Sequence, residues 1–372
     1  MLPIRVRRRS FLSSLAAVAL ESRILETSLV GWGQRSLQVG RPVPVEDSYG
    51  DTWVPVEGDD GYFYSPSDDT YGFRKATDSN IAFNRISSGR PFHLRGETVN
   101  PMADYGHSAG QAADGCTWKS SGCTYIDGAF YLVVARHAYG ETSGDSKMRQ
   151  TASNASIISS TDFGRTWHRS AKENMDSPMF SGRHFATPYF IQSASTTEQP
   201  HQQRSHIYAL SNNGFWDNGD YMILGRVRRD RIQRLQSADW EYLADENANR
   251  PHAWAPNPAE ARPVLNNPGR LGMTGAIFVP CLRSYLMIGW YYPAGGGKLS
   301  GAAGQSVWDF YTALAPWGPW RQICSQTFTP AGYYSPQICP KLLSERRAVI
   351  WTAGNWNESK YYKLTLLTLT FD

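Results

Sequence analysis

Long apolar runs are scarce in this 372-residue chain. The run from Leu15 to Leu20 is too short to cross a bilayer, and no later stretch is long enough, so no membrane span is expected. Helix-forming runs of Ala, Leu, Glu and Lys are few, which argues against a helical bundle. The five cysteines, Cys116, Cys123, Cys281, Cys324 and Cys339, show no C-x-x-C spacing, and this disfavours zinc. Disulfides joining the nearest pairs, Cys116–Cys123 and Cys324–Cys339, are open alternatives to buried thiols. His107, His184 and His206 have no ligand-like spacing, so neither a metal site nor a cofactor is expected. A basic footprint is missing too. The formal net charge is +4, but Arg5, Arg7, Arg8 and Arg9 contribute heavily, and the remainder is close to neutral. That excludes the electrostatics of a nucleic-acid binder and suits an uncharged partner such as a carbohydrate.

What is abundant is aromatic. Phe, Trp and Tyr make up 13% of the residues, with 13 Trp and 20 Tyr spread along the whole chain. Together with many Gly and Pro residues and many short apolar stretches, this predicts an all-β fold. At the start, Arg8-Arg9-Ser10-Phe11-Leu12 precedes the short apolar run, an order resembling a bacterial twin-arginine export signal. Residues 1–30 are therefore read as export signal and linker, and residues 31–372 as one domain, exported and monomeric.

Turn chemistry organises the rest. Asp127-Gly128 joins Cys123–Ile126 to Ala129–Arg136 and predicts a type I′ hairpin. Ser160-Thr161-Asp162-Phe163-Gly164-Arg165-Thr166-Trp167 is an Asp-box, in which Ser and Asp cap a turn and Trp packs beneath it. Strand pairs recur without strict sequence repetition. Repeating four-stranded units of this kind predict a five-bladed β-propeller.

Several of these pieces, in order, resemble a family of secreted five-bladed propellers, long catalogued only as a domain of unknown function, that includes bacterial endo-D-arabinanases. The resemblance rests on Gly50-Asp51-Thr52-Trp53, Asp59-Asp60-Gly61 with Tyr64, and Tyr71-Gly72-Phe73. It continues through Lys119-Ser120-Ser121-Gly122, the Asp-box, Ile207 to Ser211, Leu224 to Val227, Arg283 to Met287, Pro316 to Trp320 and Gly332 to Pro336. One departure is Ser67-Asp68-Asp69-Thr70, where a G-D-G-like turn is expected.

The acidic stretch Asp47–Phe73 is where chemistry is expected. Asp51 is placed ahead of a first strand at Gly61–Tyr64, and Asp68/Asp69 in a turn just after it. The resemblance implies that this blade supplies the catalytic carboxylates, with Asp51 and Asp69 the chosen pair, Asp68 the alternative register and Asp217 in reserve. In a glycoside hydrolase one carboxylate stays ionised while the other, its pKa raised, protonates the leaving oxygen. Lys119, Arg136 and His137 are candidates for holding hydroxyls or a carboxylate. Trp53, Trp216, Trp290, Tyr333 and Tyr334 are candidates for stacking on sugar rings. A non-catalytic sugar-binding or interaction propeller is the alternative. A sialidase is disfavoured, since only one Asp-box is legible and no arginine triad stands out.

Overall fold

The computed structural model describes residues 37–87, 92–193, 204–250, 252–293, 304–340 and 347–371. The export signal proposed for residues 1–30 lies outside them. Five sheets, antiparallel except for the parallel pairing of Gln192–Ser193 with Ala276–Val279, succeed one another along the chain and form the five blades of a propeller. The inner strands of blades one to five contain Ser48–Asp51, Thr117–Ile126, Tyr189–Phe190, Ala276–Val279 and Tyr334–Cys339 respectively. The ring is closed by the amino-terminal strands. Leu37–Val39 and Val43–Pro44 both pair with the last strand, Thr365–Phe371, in the fifth blade.

The aromatic load explains why the blades stay together. Tyr64, Phe83, Phe130 and Phe163 stack between the first two blades, with Trp167 of the Asp-box edge-on to Phe83. Phe180, Phe185, Trp240 and Tyr242 continue the core around the third blade. Where the ring closes, Phe63 of the first blade meets Trp351 of the fifth. Each large side chain buried this way contributes roughly 1.5–3 kcal/mol, so the seams between blades hold most of the core.

The local expectations fare unevenly. The hairpin at Asp127-Gly128 forms between Thr117–Ile126 and Ala129–Ala138, with φ of 51° and 86° at the turn as type I′ requires. In the Asp-box, Thr166 donates from both N and Oγ1 to the Asp162 carboxylate, and Gly164 N donates to Ser160 Oγ. Cys116, Cys123 and Cys324 all keep their thiols, so neither proposed disulfide forms. The largest correction concerns the acidic stretch. Phe63–Phe73 is one 11-residue strand that runs straight through Asp68 and Asp69, where a turn was expected. Asp51 ends the earlier strand Ser48–Asp51, and Asp51 and Asp68 are direct cross-strand partners. Apolar burial on both sides of the acidic tripeptide kept the strand going, against the turn preference of Ser-Asp-Asp.

Candidate active site

A cavity of about 390 Å³ opens on the ring axis and takes wall residues from all five blades. Half of the wall residues come from one class of connection, the loop between the second and third strand of a blade. These loops supply Tyr139, Gly140 and Gln150 in blade two, Trp216 in blade three, Tyr292 in blade four, and Trp356 and Tyr362 in blade five. Tyr139 and Tyr292 each follow immediately on the end of a second strand, after Ala138 and Tyr291. Of these seven, sequence reading singled out Trp216 and missed the other six. That recurring position was the available signal, but it becomes visible only once the blades are counted.

Irregular inner strands aim the floor residues. Ladder register shifts between Tyr49 and Asp51, between Ser120 and Cys123, and between Tyr334 and Gln337. Such bulges turn a side chain away from strict alternation. Backbone strain accompanies them: Thr52, Asp69 and Ser335 have φ of 56°, 38° and 47°. For a β-branched residue such as Thr52 that conformation is costly, of order 1–3 kcal/mol. Its Oγ1 donates to Asp51 Oδ1 at 3.1 Å, so the strained residue also holds the carboxyl.

Two aspartates and one lysine form the polar floor, with a third aspartate buried behind it. Asp51 and Asp69 both line the cavity. Tyr334 donates to Asp51 Oδ2 at 2.6 Å. Asp69 accepts at Oδ2 from the buried Lys119 ammonium and from Tyr139 at 2.8 Å, and at Oδ1 from Ala109 N at 3.0 Å. Asp68 lies behind the wall, fully buried, where Ser120 N and Oγ both donate to it. The electrostatic consequence is a split. Burial raises the pKa of Asp51, outweighing the charge of Lys119. Burial also holds Asp68 well above the usual carboxylate range. Burial pushes on Asp69 too, but Lys119, Tyr139 and Ala109 together bring it below the ordinary value. Lys119, despite its own burial, is kept charged mainly by Asp69.

The aromatic wall lies toward blades four and five. Trp290 packs edge-on to Tyr292 and tilted against Tyr334, and Trp356 meets both Tyr292 and Tyr334. Trp216, Trp290 and Tyr334 therefore stand where sugar-stacking residues were expected. Several other candidates do not. Trp53 is fully buried against Phe73, with its indole N–H donated to Gly50 O, because it fills the seam between blades five and one. Tyr333 is buried against Phe328 and Tyr361. Arg136 is committed to Asp114 at 2.7 Å and lies over Trp118, which makes it a structural ion pair. His137 and Asp217 are fully buried and absent from the cavity wall. They sit one layer back, beside Gln150.

Among the described residues no group of three or more His, Cys, Asp or Glu side chains could hold a metal ion. No helix among them is long and apolar enough to cross a membrane.

No protein-family model matches the chain, and no curated protein matches it. Solved structures do. The chain is similar to a protein of Bacteroides ovatus provisionally described as a hydrolase, at 13% identity over 86% of this chain and 85% of that one, with TM-score 0.52. It is also similar to a GH43_1 enzyme from Xanthomonas citri solved with xylose, at 10% identity, 92% of each chain and TM-score 0.45. A levansucrase from Bacillus subtilis shares 11% identity over 89% and 82% of the chains, with TM-score 0.44. The likeness is one of fold.

Proposed function

We propose that this protein is a glycoside hydrolase that cleaves a polysaccharide with Asp51 and Asp69. The observation that carries this reading is the split between two carboxylates in one cavity. Asp51 is held toward its neutral form and Asp69 toward its charged form, which is the division of labour that glycoside hydrolysis needs. Asp51 would protonate the leaving glycosidic oxygen. Asp69 would deprotonate the attacking water or attack the anomeric carbon itself, using the side of Oδ1 that Ala109 leaves open. The aromatic wall of Trp290, Tyr292, Tyr334 and Trp356 would take the apolar face of a sugar ring. Polysaccharides containing D-arabinose head the substrates to test, on the strength of the family resemblance.

One observation favours the second reading, a sugar-binding propeller without hydrolysis. Three donors already engage Asp69, which blunts its basicity. A panel of polysaccharides including D-arabinan and arabinogalactan separates the two. Hydrolysis by the wild type, reduced roughly 10²- to 10⁴-fold in Asp51→Asn and in Asp69→Asn, is expected for acid–base residues. Full activity in both variants would refute the assignment. Glycan binding without any hydrolysis would favour the second reading.

A further inference from the structure

His137 and Asp217 were singled out from sequence and then found behind the cavity wall, and both engage the same residue. Asp217 Oδ1 accepts the backbone N–H of Gln150 at 3.1 Å, and Trp216 N donates to Gln150 O at 2.9 Å. His137 Nε2 lies 2.8 Å from Gln150 Oε1. Gln150 lines the cavity, and its side-chain nitrogen has no partner among the described residues. A side chain held at backbone and at one amide atom, with the other amide atom facing the cavity, is built to meet a ligand.

The polarity of that free end follows from the imidazole. His137 Nδ1 is buried and has no hydrogen-bond partner. Placing the ring proton there would orphan a buried N–H, which is rarer and costlier than an under-used acceptor. The proton therefore sits on Nε2 and is donated to Gln150 Oε1, which turns the Gln150 NH₂ toward the cavity. Burial, then the charge of Lys119, lowers the imidazole pKa to about 3, with Asp69 opposing and Arg136 reinforcing. The ring stays neutral and the donor arrangement persists at ordinary pH.

We propose that Gln150 is a specificity-determining hydrogen-bond donor that selects a hydroxyl or ring oxygen of a neutral sugar, and that His137 is the positioning residue that sets its orientation. This rests on the carbohydrate reading above. Its charge neutrality distinguishes Gln150 from the acid–base pair: it would add affinity for a hydroxyl-bearing ring beside Trp216 without taking part in proton transfer.

Two measurements test it. The first needs no ligand. In long-range ¹H–¹⁵N spectra of wild-type protein labelled at histidine, His137 should show the Nε2–H tautomer between pH 5 and 8. An Nδ1–H tautomer would turn the Gln150 carbonyl to the cavity and overturn the proposal. The second uses binding of D-arabinose, D-xylose and their 2-deoxy and 3-deoxy analogues, followed by tryptophan fluorescence. Gln150→Ala and His137→Phe should each bind the intact sugar roughly threefold to tenfold more weakly, the worth of one neutral hydrogen bond. One deoxy analogue should bind wild type and Gln150→Ala alike. His137→Gln, which keeps a donor near Gln150 Oε1, should restore the loss, as a merely structural role for the ring would not. If wild type and Gln150→Ala bind every sugar equally, the proposal fails while the carbohydrate reading stands. If no sugar or glycan binds the wild type at all, both fall.

Discussion

At the scale of single residues, Lys119 decides more than any other side chain. It is a fully buried ammonium paired with Asp69, and its charge also bears on Asp51, Asp68 and His137. Removing one partner of a buried pair leaves the other charge uncompensated, at a cost of about 3–5 kcal/mol. Lys119→Met should lose stability on that order in urea unfolding. It should also raise the Asp69 pKa and push the acidic limb of the pH–rate profile upward. His137 supplies a second test with a definite sign. Its folded pKa, about 3, lies below the ordinary 6.5, so between those values the unfolded chain binds more protons than the folded one. The contribution of His137 is therefore fully present above pH 6.5 and lost progressively as pH falls toward 3. Asp51 and Asp68, whose pKa values are raised, act in the opposite sense and favour the folded state at low pH. Comparing wild type with His137→Gln isolates the histidine: the variant should lose less stability between pH 6.5 and 4, by chemical denaturation at each pH.

At the scale of elements, the hairpin and the Asp-box were legible because their chemistry is local. A type I′ turn needs two residues tolerant of positive φ, and Asp127-Gly128 meets that need with no help from the rest of the fold. The Asp-box lies at the far end of its strand from the cavity, beyond Ser160, whereas Gln150 precedes that strand at the other end. Asp162→Ala should therefore remove the contacts to Thr166 and Ser160 and lower stability by about 1–2 kcal/mol, as lost hydrogen bonds do. Thermal unfolding should register that loss, while kcat/KM on any substrate found should be unchanged. The acidic strand was read less well. Ser67-Asp68-Asp69 has turn chemistry, yet it pairs on both edges, with Asp51 across from Asp68 on one side and Ile81 on the other. Strand pairing is a property of neighbours far along the chain, and no window of ten residues contains it.

At the scale of the whole molecule, closure depends on the amino-terminal strands. The last strand, Thr365–Phe371, is covered on its outer edge only by Leu37–Val39 and Val43–Pro44 among the described residues. Export is proposed from the arginine-rich start, with the mature chain beginning after residue 20, which keeps this closure intact. Amino-terminal sequencing of the secreted protein checks the processing. A chain shortened to begin at residue 45 should lose the outer strand of the fifth blade, exposing an unpaired edge. It should unfold at a markedly lower temperature and aggregate, as differential scanning calorimetry and light scattering would report, whereas a chain beginning at residue 21 should match the mature form.

Composition and turn signals in the sequence determined that the chain is all-β, that strand pairs recur, and that five blades are the natural count. Together with the family resemblance, which is what pointed to Asp51 and Asp69, the sequence also singled out Lys119, Trp216, Trp290 and Tyr334, and the fold gathers all six around one cavity. These were readable because strand alternation, turn residues and the Asp-box act over a few positions. Only the tertiary structure separated these residues from Trp53, Arg136, Tyr333, His137 and Asp217. An aromatic in a propeller can fill a seam or face the axis, and a buried polar group can serve the cavity or the wall behind it. Which of the two it does depends on bulges and on neighbours supplied by other blades. The opposite pKa shifts of Asp51 and Asp69 arise the same way: burial raises Asp51 although Lys119 in the second blade and Tyr334 in the fifth oppose it, while Lys119 and Tyr139 bring Asp69 down. Charge is set by surroundings, and those surroundings come from residues as far apart as 51 and 334.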